Sequence, residues 1–515
     1  MNILNKNLTV FLLLFVIALL PRLYHLDQTT IYPDEISWMV RGKETLYAAS
    51  KLNLNYFNSV WWNDPREHES IALPLILSNA PTQLILGKNP SNLSLKFFAD
   101  YTAARIPIAI LSSLLIPLFY LLAKRFVDPK IAFLFSVLFA FDPVHLALSR
   151  WVMNDGLLTL FTFSAIFFFM LHKKGKLFLI LTSFSLAAGC LTRPTAVIVG
   201  VPLALLSLTK TKSFNKNLLL LISTLVLTYL LIWVLWPGLW DKPLTSYAEY
   251  FYREATLAQQ GITVYYMGNI TTNPPITYYL FELATRLPLP IVILVALSPI
   301  ILTTKIFRKK ILISDLHRYL PQISFFSFAA IFLLALSFSA LKIGVRYALP
   351  TWPWIYLLAA WTASEIFKSL NRKWLQSSLV LILIISSVIT LIKYFPDYYF
   401  FYNNLVGGPG NAQKYDLVGN CLGTKNALKY IWNKYPDLPP VAVIGCSNVT
   451  ASYYYQGKIS EDWQKEKIVV VENTLFQLSP ELESVRYFRS QKPIYQSTFN
   501  GAILANVYLK EETER

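Results

Sequence analysis

The sequence predicts an all-α membrane protein that crosses the bilayer about eleven times and carries a small α/β domain of roughly 120 residues beyond its last span. Three observations predict it. The chain is 55% hydrophobic and only 15% charged, whereas soluble domains carry about a quarter charged residues. Its apolar residues gather into blocks of roughly 16 to 22 with almost no charge inside, where a soluble helix would show a polar face every turn. After Lys393 the pattern changes, and a helical stretch from Lys425 to Tyr435 alternates with β-rich runs at Val441 to Ile444, Ile468 to Val471 and Ala502 to Tyr508.

The spans fall near residues 8–24, 103–123, 131–148, 154–171, 176–191, 194–209, 217–237, 287–304, 322–341, 346–367 and 375–394. Cytoplasmic loops retain Lys and Arg, so the basic residues set the orientation. With the N-terminus inside, every second loop should be basic. Lys124, Arg125 and Lys130 make the first such loop, Lys173, Lys174 and Lys176 the next, and Lys210, Lys212 and Lys216 the third. Lys305, Arg308, Lys309, Lys310 and Arg318 follow, then Lys368, Arg372 and Lys373. The formal charge of +17 therefore follows from topology, and no nucleic-acid partner is expected. The first segment has no small-residue cleavage site before Pro21 and Arg22, which reads as an uncleaved span. The expectation is a multi-pass cell-membrane protein with a cytoplasmic N-terminus and an extracytoplasmic C-terminal domain.

Three stretches are too long and polar to be simple connections, and this orientation places all of them outside: residues 25–102, residues 238–286 and the tail. The expected organisation is a multi-span domain over 1–395, carrying the first two stretches, and an α/β domain over 396–515. Cys421 and Cys446 both lie in the tail, where a disulfide is chemically permitted, while Cys190 sits at a span end with no exported partner nearby. No CxxC, no His-Glu metal spacing and no glycine-rich phosphate loop occurs in a cytoplasmic segment. No cofactor is expected. A divalent metal has no ligand signature, and ATP-driven transport or nucleotide-sugar use has no visible site.

Several charges stand at the outer ends of the spans, where the orientation rule disfavours cations. Arg150 follows the third span in HLALSRWVMNDGLL, Arg193 sits in LTRPT, and Lys342 and Arg346 sit in LKIGVRYALP. Any one of them could snorkel to the headgroups. Carboxylates occur at the same level: Asp34 and Glu35 in IYPDEISW, Asp142 in FDPVH, Asp155 a little over a turn beyond Arg150, then Asp241 and Glu282. Asp142 before Pro143 suits a turn, and Asp155 suits an ion pair with Arg150. Asp34 and Glu35 favour chemistry more strongly. Adjacent acids beside Tyr32, Pro33 and Trp38, where the chain leaves the bilayer, can supply a general base. Carboxylates to take a proton, guanidinium forks to hold phosphate, and the aromatics of YYMGN, TYY and YFPDYYFFYNN together suit a lipid-linked sugar phosphate. For most of those aromatics an interfacial belt is the simpler reading.

These residues carry a resemblance. YPDE after the first span, FDPVHLALSRWVMNDGLLTLF, WPGLWDKP followed by MGN and PPITYY, RYALPTWP, and FPDYYFFYNNLVGGPG occur in an order and placement spanning most of residues 1–410. In them the chain resembles the bacterial phospholipid-carrier-dependent glycosyltransferases. These are relatives of the dolichyl-phosphate-mannose protein mannosyltransferases (glycosyltransferase 39) and of the lipid A aminoarabinose transferases. The resemblance implies a GT-C-like fold using a polyprenyl-phosphate sugar on the non-cytoplasmic side. It implies Asp34 as the base with Glu35 beside it, Arg346 as the donor-phosphate contact, and a family pattern of Arg and Asp that maps onto Arg150 and Asp155. With the charges at the span ends, the expected phosphate-binding cations are Arg346, Arg150, Arg193 and Lys342, with Asp155 and His68 in supporting positions. Two departures stand out: His68 is followed by Glu69 where relatives often carry His-Pro, and KYDLVGN retains Asp416 and Gly419 without the Trp-Gly that relatives often show.

The expected function is a membrane hexosyl- or pentosyltransferase moving a sugar from a polyprenyl-phosphate donor to a hydroxyl of a protein, lipid or glycan acceptor. The rival readings are a multi-span lipid or solute transporter or flippase, and a non-catalytic assembly or sensor protein with an exported tail. Against transport, the spans show no inverted repeat and the charges gather at one face, with few at the midplane.

Overall fold

The computed structural model describes residues 2–53, 56, 71–86, 101–172, 175–208, 214–309, 316–370, 372–419 and 421–510. All eleven apolar segments lie on helical backbone. The first is α1 (Asn2–Leu23). The long stretch after it holds two helices: Pro33, with its fixed φ, opens α2 (Pro33–Ser50), and an apolar run forms α3 (Leu73–Leu86). The second segment is split into α4 (Tyr101–Ser113) and α5 (Leu115–Ala123), because Pro117 has no N–H to return to the Ser113 carbonyl. The third breaks at Asp142-Pro143 into α6 (Pro129–Ala140) and α7 (Pro143–Leu148). Asp142 caps the second half by accepting from the His145 N–H at 2.8 Å, and it also accepts from Trp352 Nε1 and the Tyr356 hydroxyl. Its role is therefore that of a helix cap and packing anchor.

The bundle continues with α8 (Asn154–Leu171), α9 (Lys176–Thr192), a 3₁₀ turn over Pro194–Val199, α10 (Gly200–Leu208) and α11 (Phe214–Leu235). The second long polar stretch forms α12 (Pro243–Gln260), a hairpin of β1 (Val264–Tyr266) and β2 (Asn269–Thr271), and α13 (Tyr278–Arg286). Then come α14 (Leu289–Lys309), α15 (Leu316–Phe338), a 3₁₀ turn over Val345–Thr351, α16 (Trp352–Ser369) and α17 (Lys373–Tyr394). Among the described residues, four stretches are long and apolar enough to cross a bilayer by length and composition: Tyr101–Ala123, Asn154–Leu171, Asn215–Leu235 and Lys373–Tyr394.

Burial separates the centre from the rim. In α8, 83% of the apolar stretch is buried, against 17% in α11 and 11% in α17, whose exposed Leu, Ile and Val side chains suit a lipid environment. Gly156 lets α8 lie close to α4, since a Cβ there would fall 2.8 Å from Ser112 Oγ.

Beyond α17 the chain forms α18 (Gly408–Ala412), α19 (Leu422–Lys434), β3 (Val441–Ile444), α20 (Asn448–Tyr454) and β4 (Ile459–Ser460). It closes with β5 (Ile468–Glu472), α21 (Asn473–Leu478), α22 (Glu483–Arg489), β6 (Tyr495–Phe499) and β7 (Ala502–Leu509). The strands make one mixed sheet in the order β4-β3-β5-β7-β6, with β3 parallel to β4 and β5, and β7 antiparallel to β5 and β6. Ala427, Leu428 and Ile431 of α19 cover one face through Val441, Val470 and Val507. Phe488 of α22 packs on the other with Val469, Val471 and Tyr508. This two-sided burial explains the unbroken apolar run of β5. Cys421 and Cys446 are disulfide-bonded, and Cys190 is buried and free.

Candidate active site

The irregular segment between α1 and α2 has little regular backbone pairing, and arginines from the bundle supply what it lacks. Arg105 of α4 donates from Nε and Nη2 to Glu35, from Nη1 to the Leu26 and Thr29 carbonyls, and from Nη2 to the Thr30 carbonyl. Arg150, between α7 and α8, donates to the Pro21, Tyr24 and His25 carbonyls and twice to Thr29 Oγ1. Trp151 Nε1 adds a bond to the Thr30 carbonyl at 2.8 Å. An arginine has five N–H groups, and in both residues all are engaged.

This corrects the expected phosphate role of Arg150. Its side chain is buried and its donors are spent on three backbone carbonyls and the Thr29 hydroxyl, which makes it a clamp on the segment leading to Asp34. The expected Arg150–Asp155 pair gives way as well, because Asp155 pairs with Arg193.

Asp34 and Glu35 both lie in the first turn of α2, so the two acids diverge by the helical rotation per residue. Glu35 points inward. It is fully buried, forms a 2.6 Å ion pair with Arg105, and accepts from the N–H groups of Val152 and Tyr32 at 2.9 Å, the latter closing a capping box. These contacts tie Glu35 to the shape of the turn. Asp34 faces the other way, with 37% of its side chain exposed, and its one described hydrogen bond comes from Arg346 Nη1 at 2.9 Å.

Arg346 reaches Asp34 from the 3₁₀ turn before α16. Gly344 makes that turn possible with a φ of 66°. The Arg346 guanidinium lies over the rings of Tyr32 and Tyr347, at 5.2 and 5.4 Å, and its Nε is buried without a hydrogen-bond partner. Arg193 stacks 4.4 Å above the same Tyr347 ring and meets Asp155 Oδ1 at 3.4 Å, while Asp155 Oδ2 and both amide atoms of buried Asn154 have no partner. The structure thus brings Asp34, Arg346, Arg193 and Asp155 into one chain of contacts around Tyr347. Lys342 is buried and donates to the Ser339 carbonyl at 2.7 Å, and burial lowers its ammonium below the ordinary value. His68 lies outside the described residues.

Sequence reasoning missed Arg105 and the ring of Tyr347 as parts of this arrangement. A cation near the start of an apolar span, in AARIP, was the available signal for Arg105. Also missed was a second buried cluster, in which Glu282 of α13 meets Asp416 of the tail and Arg286 lies over the rings of Tyr399 and Tyr402. Burial and the Asp416 carboxyl push Glu282 well above the usual carboxylate range. Among the described residues, no group of three His, Cys, Asp or Glu side chains is placed to hold a metal ion.

With a helical bundle, an acid and arginines clustered about one loop, and an appended α/β domain, this chain is similar in fold to the GT-C glycosyltransferases, and part of its sequence is mannosyltransferase-like. Residues 93–236 match the family model described as dolichyl-phosphate-mannose-protein mannosyltransferase. Archaeal oligosaccharyltransferase AglB from Archaeoglobus fulgidus, solved with an inhibitory peptide and a dolichol-phosphate, shares the fold at a TM-score of 0.51 and 12% identity, over 92% of this chain and 70% of that one. ArnT from Cupriavidus metallidurans in the apo state does so at 0.50 and 14%, over 97% and 98%. The protein O-mannosyltransferase Pmt1-Pmt2 complex of S. cerevisiae, bound to the sugar donor, matches at a TM-score of 0.36 and 18% identity, over 45% of this chain. The matched part spans only 33% of that mannosyltransferase chain. No curated protein matches the sequence.

Proposed function

We propose that this protein transfers a sugar from a polyprenyl-phosphate donor to an acceptor hydroxyl on the non-cytoplasmic side of the membrane. The observation that carries the reading is the Asp34–Arg346 pair: a partly exposed carboxylate held at 2.9 Å from a guanidinium whose buried Nε has no hydrogen-bond partner among the described residues. That the AglB structure holds a dolichol-phosphate supports a lipid-phosphate donor here.

The chemistry follows from that pair. The donor phosphate takes the place of Asp34 as the anion beside Arg346, with Arg193 as second cation, and the Asp34 carboxylate is left to face the acceptor. The acceptor oxygen then attacks the anomeric carbon, its proton passes to Asp34, and the bond from carbon to phosphate oxygen breaks with its electron pair leaving on the lipid phosphate. The activated bond arrives with the carrier, so no nucleotide is consumed. Positioned acid–base groups contribute about 10² to 10⁴-fold and oriented charges often more. Purified protein incubated with polyprenyl-phosphate sugars and candidate acceptors should release polyprenyl phosphate, read by mass spectrometry. A lipid transporter would move the donor and leave its sugar–phosphate bond intact, and that result would overturn the proposal.

A further inference from the structure

We infer that the C-terminal α/β domain sets the position of the Asp34 carboxylate, with Lys425 and Tyr454 as positioning residues and the Cys421–Cys446 disulfide holding them to one another. The inference rests on the reading of Asp34 as the base. Residues 28–31 run directly into Tyr32, Pro33 and Asp34. Their carbonyls are gripped from the bundle side, by Arg105 and Trp151. Their N–H groups are gripped from the tail: Thr30 donates to Asp397 Oδ1 at 2.7 Å, and Ile31 donates to the Tyr454 hydroxyl at 2.7 Å. Lys425 Nζ donates to the Gln28 carbonyl, lies 3.4 Å from Thr30 Oγ1, and sits 3.8 Å from Asp397 Oδ2.

Thr30 and Ile31 are each 1% exposed, so water cannot replace a lost partner. Of these three tail residues, Lys425 and Tyr454 come from different helices. Lys425 sits on the first turn of α19, whose N-cap is Cys421, and Tyr454 ends α20, which begins two residues after Cys446. The disulfide therefore ties the start of one helix to the approach of the other. A tail that shifted on the bundle would draw the 28–31 segment with it, and Asp34 lies three residues further on.

The test uses the full-length purified protein and polyprenyl-phosphate sugar. Tyr454→Phe and Lys425→Met should each lower turnover about tenfold, since displacement of a reacting group by an ångström can cost up to about 10²-fold. Donor bound per protein should stay at the wild-type level, and Lys425→Arg should recover most of the turnover. The Cys421→Ser/Cys446→Ser double variant should lose turnover in the same way, and Lys434→Met at the exposed end of α19 should behave as wild type. The deciding measurement is Tyr454→Phe added to Asp34→Asn. A residue that acts through Asp34 adds no further loss there, whereas a merely structural loss multiplies. Multiplying losses, or unchanged turnover in both tail variants, overturn the positioning role alone. Full turnover in Asp34→Asn overturns the base reading, and the positioning of that base with it.

Discussion

Glu35→Gln separates the two adjacent acids. Glu35 is fully buried, and Arg105, its ion-pair partner, is 1% exposed. Four N–H groups converge on the carboxylate: Nε and Nη2 of Arg105 and the backbone N–H groups of Val152 and Tyr32. Glutamine keeps the shape but turns one acceptor oxygen into a donor, facing N–H groups that also donate. Arg105 cannot give up its proton, so a full charge stays buried without its counter-ion. Breaking such a pair costs about 3 to 5 kcal/mol, a large part of the roughly 5 to 15 kcal/mol that holds a typical domain folded. Asp34→Asn touches only a part-exposed pair worth about 1 kcal/mol or less, yet it should lower turnover by about 10² or more by removing the proton acceptor. Melting followed by tryptophan fluorescence, beside turnover measured well below the midpoint, reads both effects. Glu35→Gln should melt markedly earlier, and Asp34→Asn should melt like wild type but turn over poorly. If Glu35→Gln melts normally with turnover abolished while Asp34→Asn remains active, the base is Glu35 and the reasoning from burial is wrong.

Arg346→Ala and Arg193→Ala should each reduce kcat/KM for the lipid-phosphate donor about tenfold or more, the consequence of losing a charge-assisted contact worth about 1.5 to 3 kcal/mol; unchanged donor kinetics in both would return these cations to a snorkelling role. Ser460→Cys, on β4, should react with a membrane-impermeant maleimide on intact cells, and Lys368→Cys, at the end of α16, only with a permeant one; the reverse pattern would invert the proposed orientation. Glu472, buried against the Thr424 N–H and hydroxyl, is pushed up to about 7 from 4.5, so its contribution to stability is fully present below about pH 4.5 and is lost as pH rises through 7, on the order of 3 kcal/mol. Glu472→Gln keeps the acceptor for Thr424 and should flatten that part of the pH–stability curve; an identical slope in both proteins would show that another group titrates.

The fold class was legible because each apolar segment has to satisfy its own backbone hydrogen bonds, which leaves hydropathy as a direct readout of helix. The α/β tail was legible in its buried strands, whose apolar runs stand out, and less so at Tyr495–Phe499, where the sequence alternates polar residues such as Gln496 and Thr498. Helices α2 and α3 escaped notice because an outer stretch was read by its polar length, although α3 is nearly as apolar as a span. In the candidate site, the residue types were legible and their partners were not. Arg150 and Arg346 give similar signals in sequence, each a cation at an outer span end. What separates them is the set of oxygens within reach, and those come from positions more than a hundred residues away in each case.

That difference in partners divides the labour among the outer cations. A guanidinium whose five N–H groups all meet carbonyl, carboxylate or hydroxyl oxygens of the protein holds the chain in place, and it has nothing left with which to hold a phosphate. Arg105 and Arg150 are of this kind, and they converge on the segment that carries Asp34. Among the described residues Arg346 has one hydrogen bond, to a carboxylate that is itself part-exposed, and a buried Nε without a partner. An incoming phosphate can therefore displace one carboxylate oxygen from Arg346 and gain several donors in return, while any attempt to recruit Arg150 would first have to break bonds to three backbone carbonyls. The cost of that rearrangement keeps the loop rigid while the donor binds, so the part of the site that must move is confined to the Asp34–Arg346 contact.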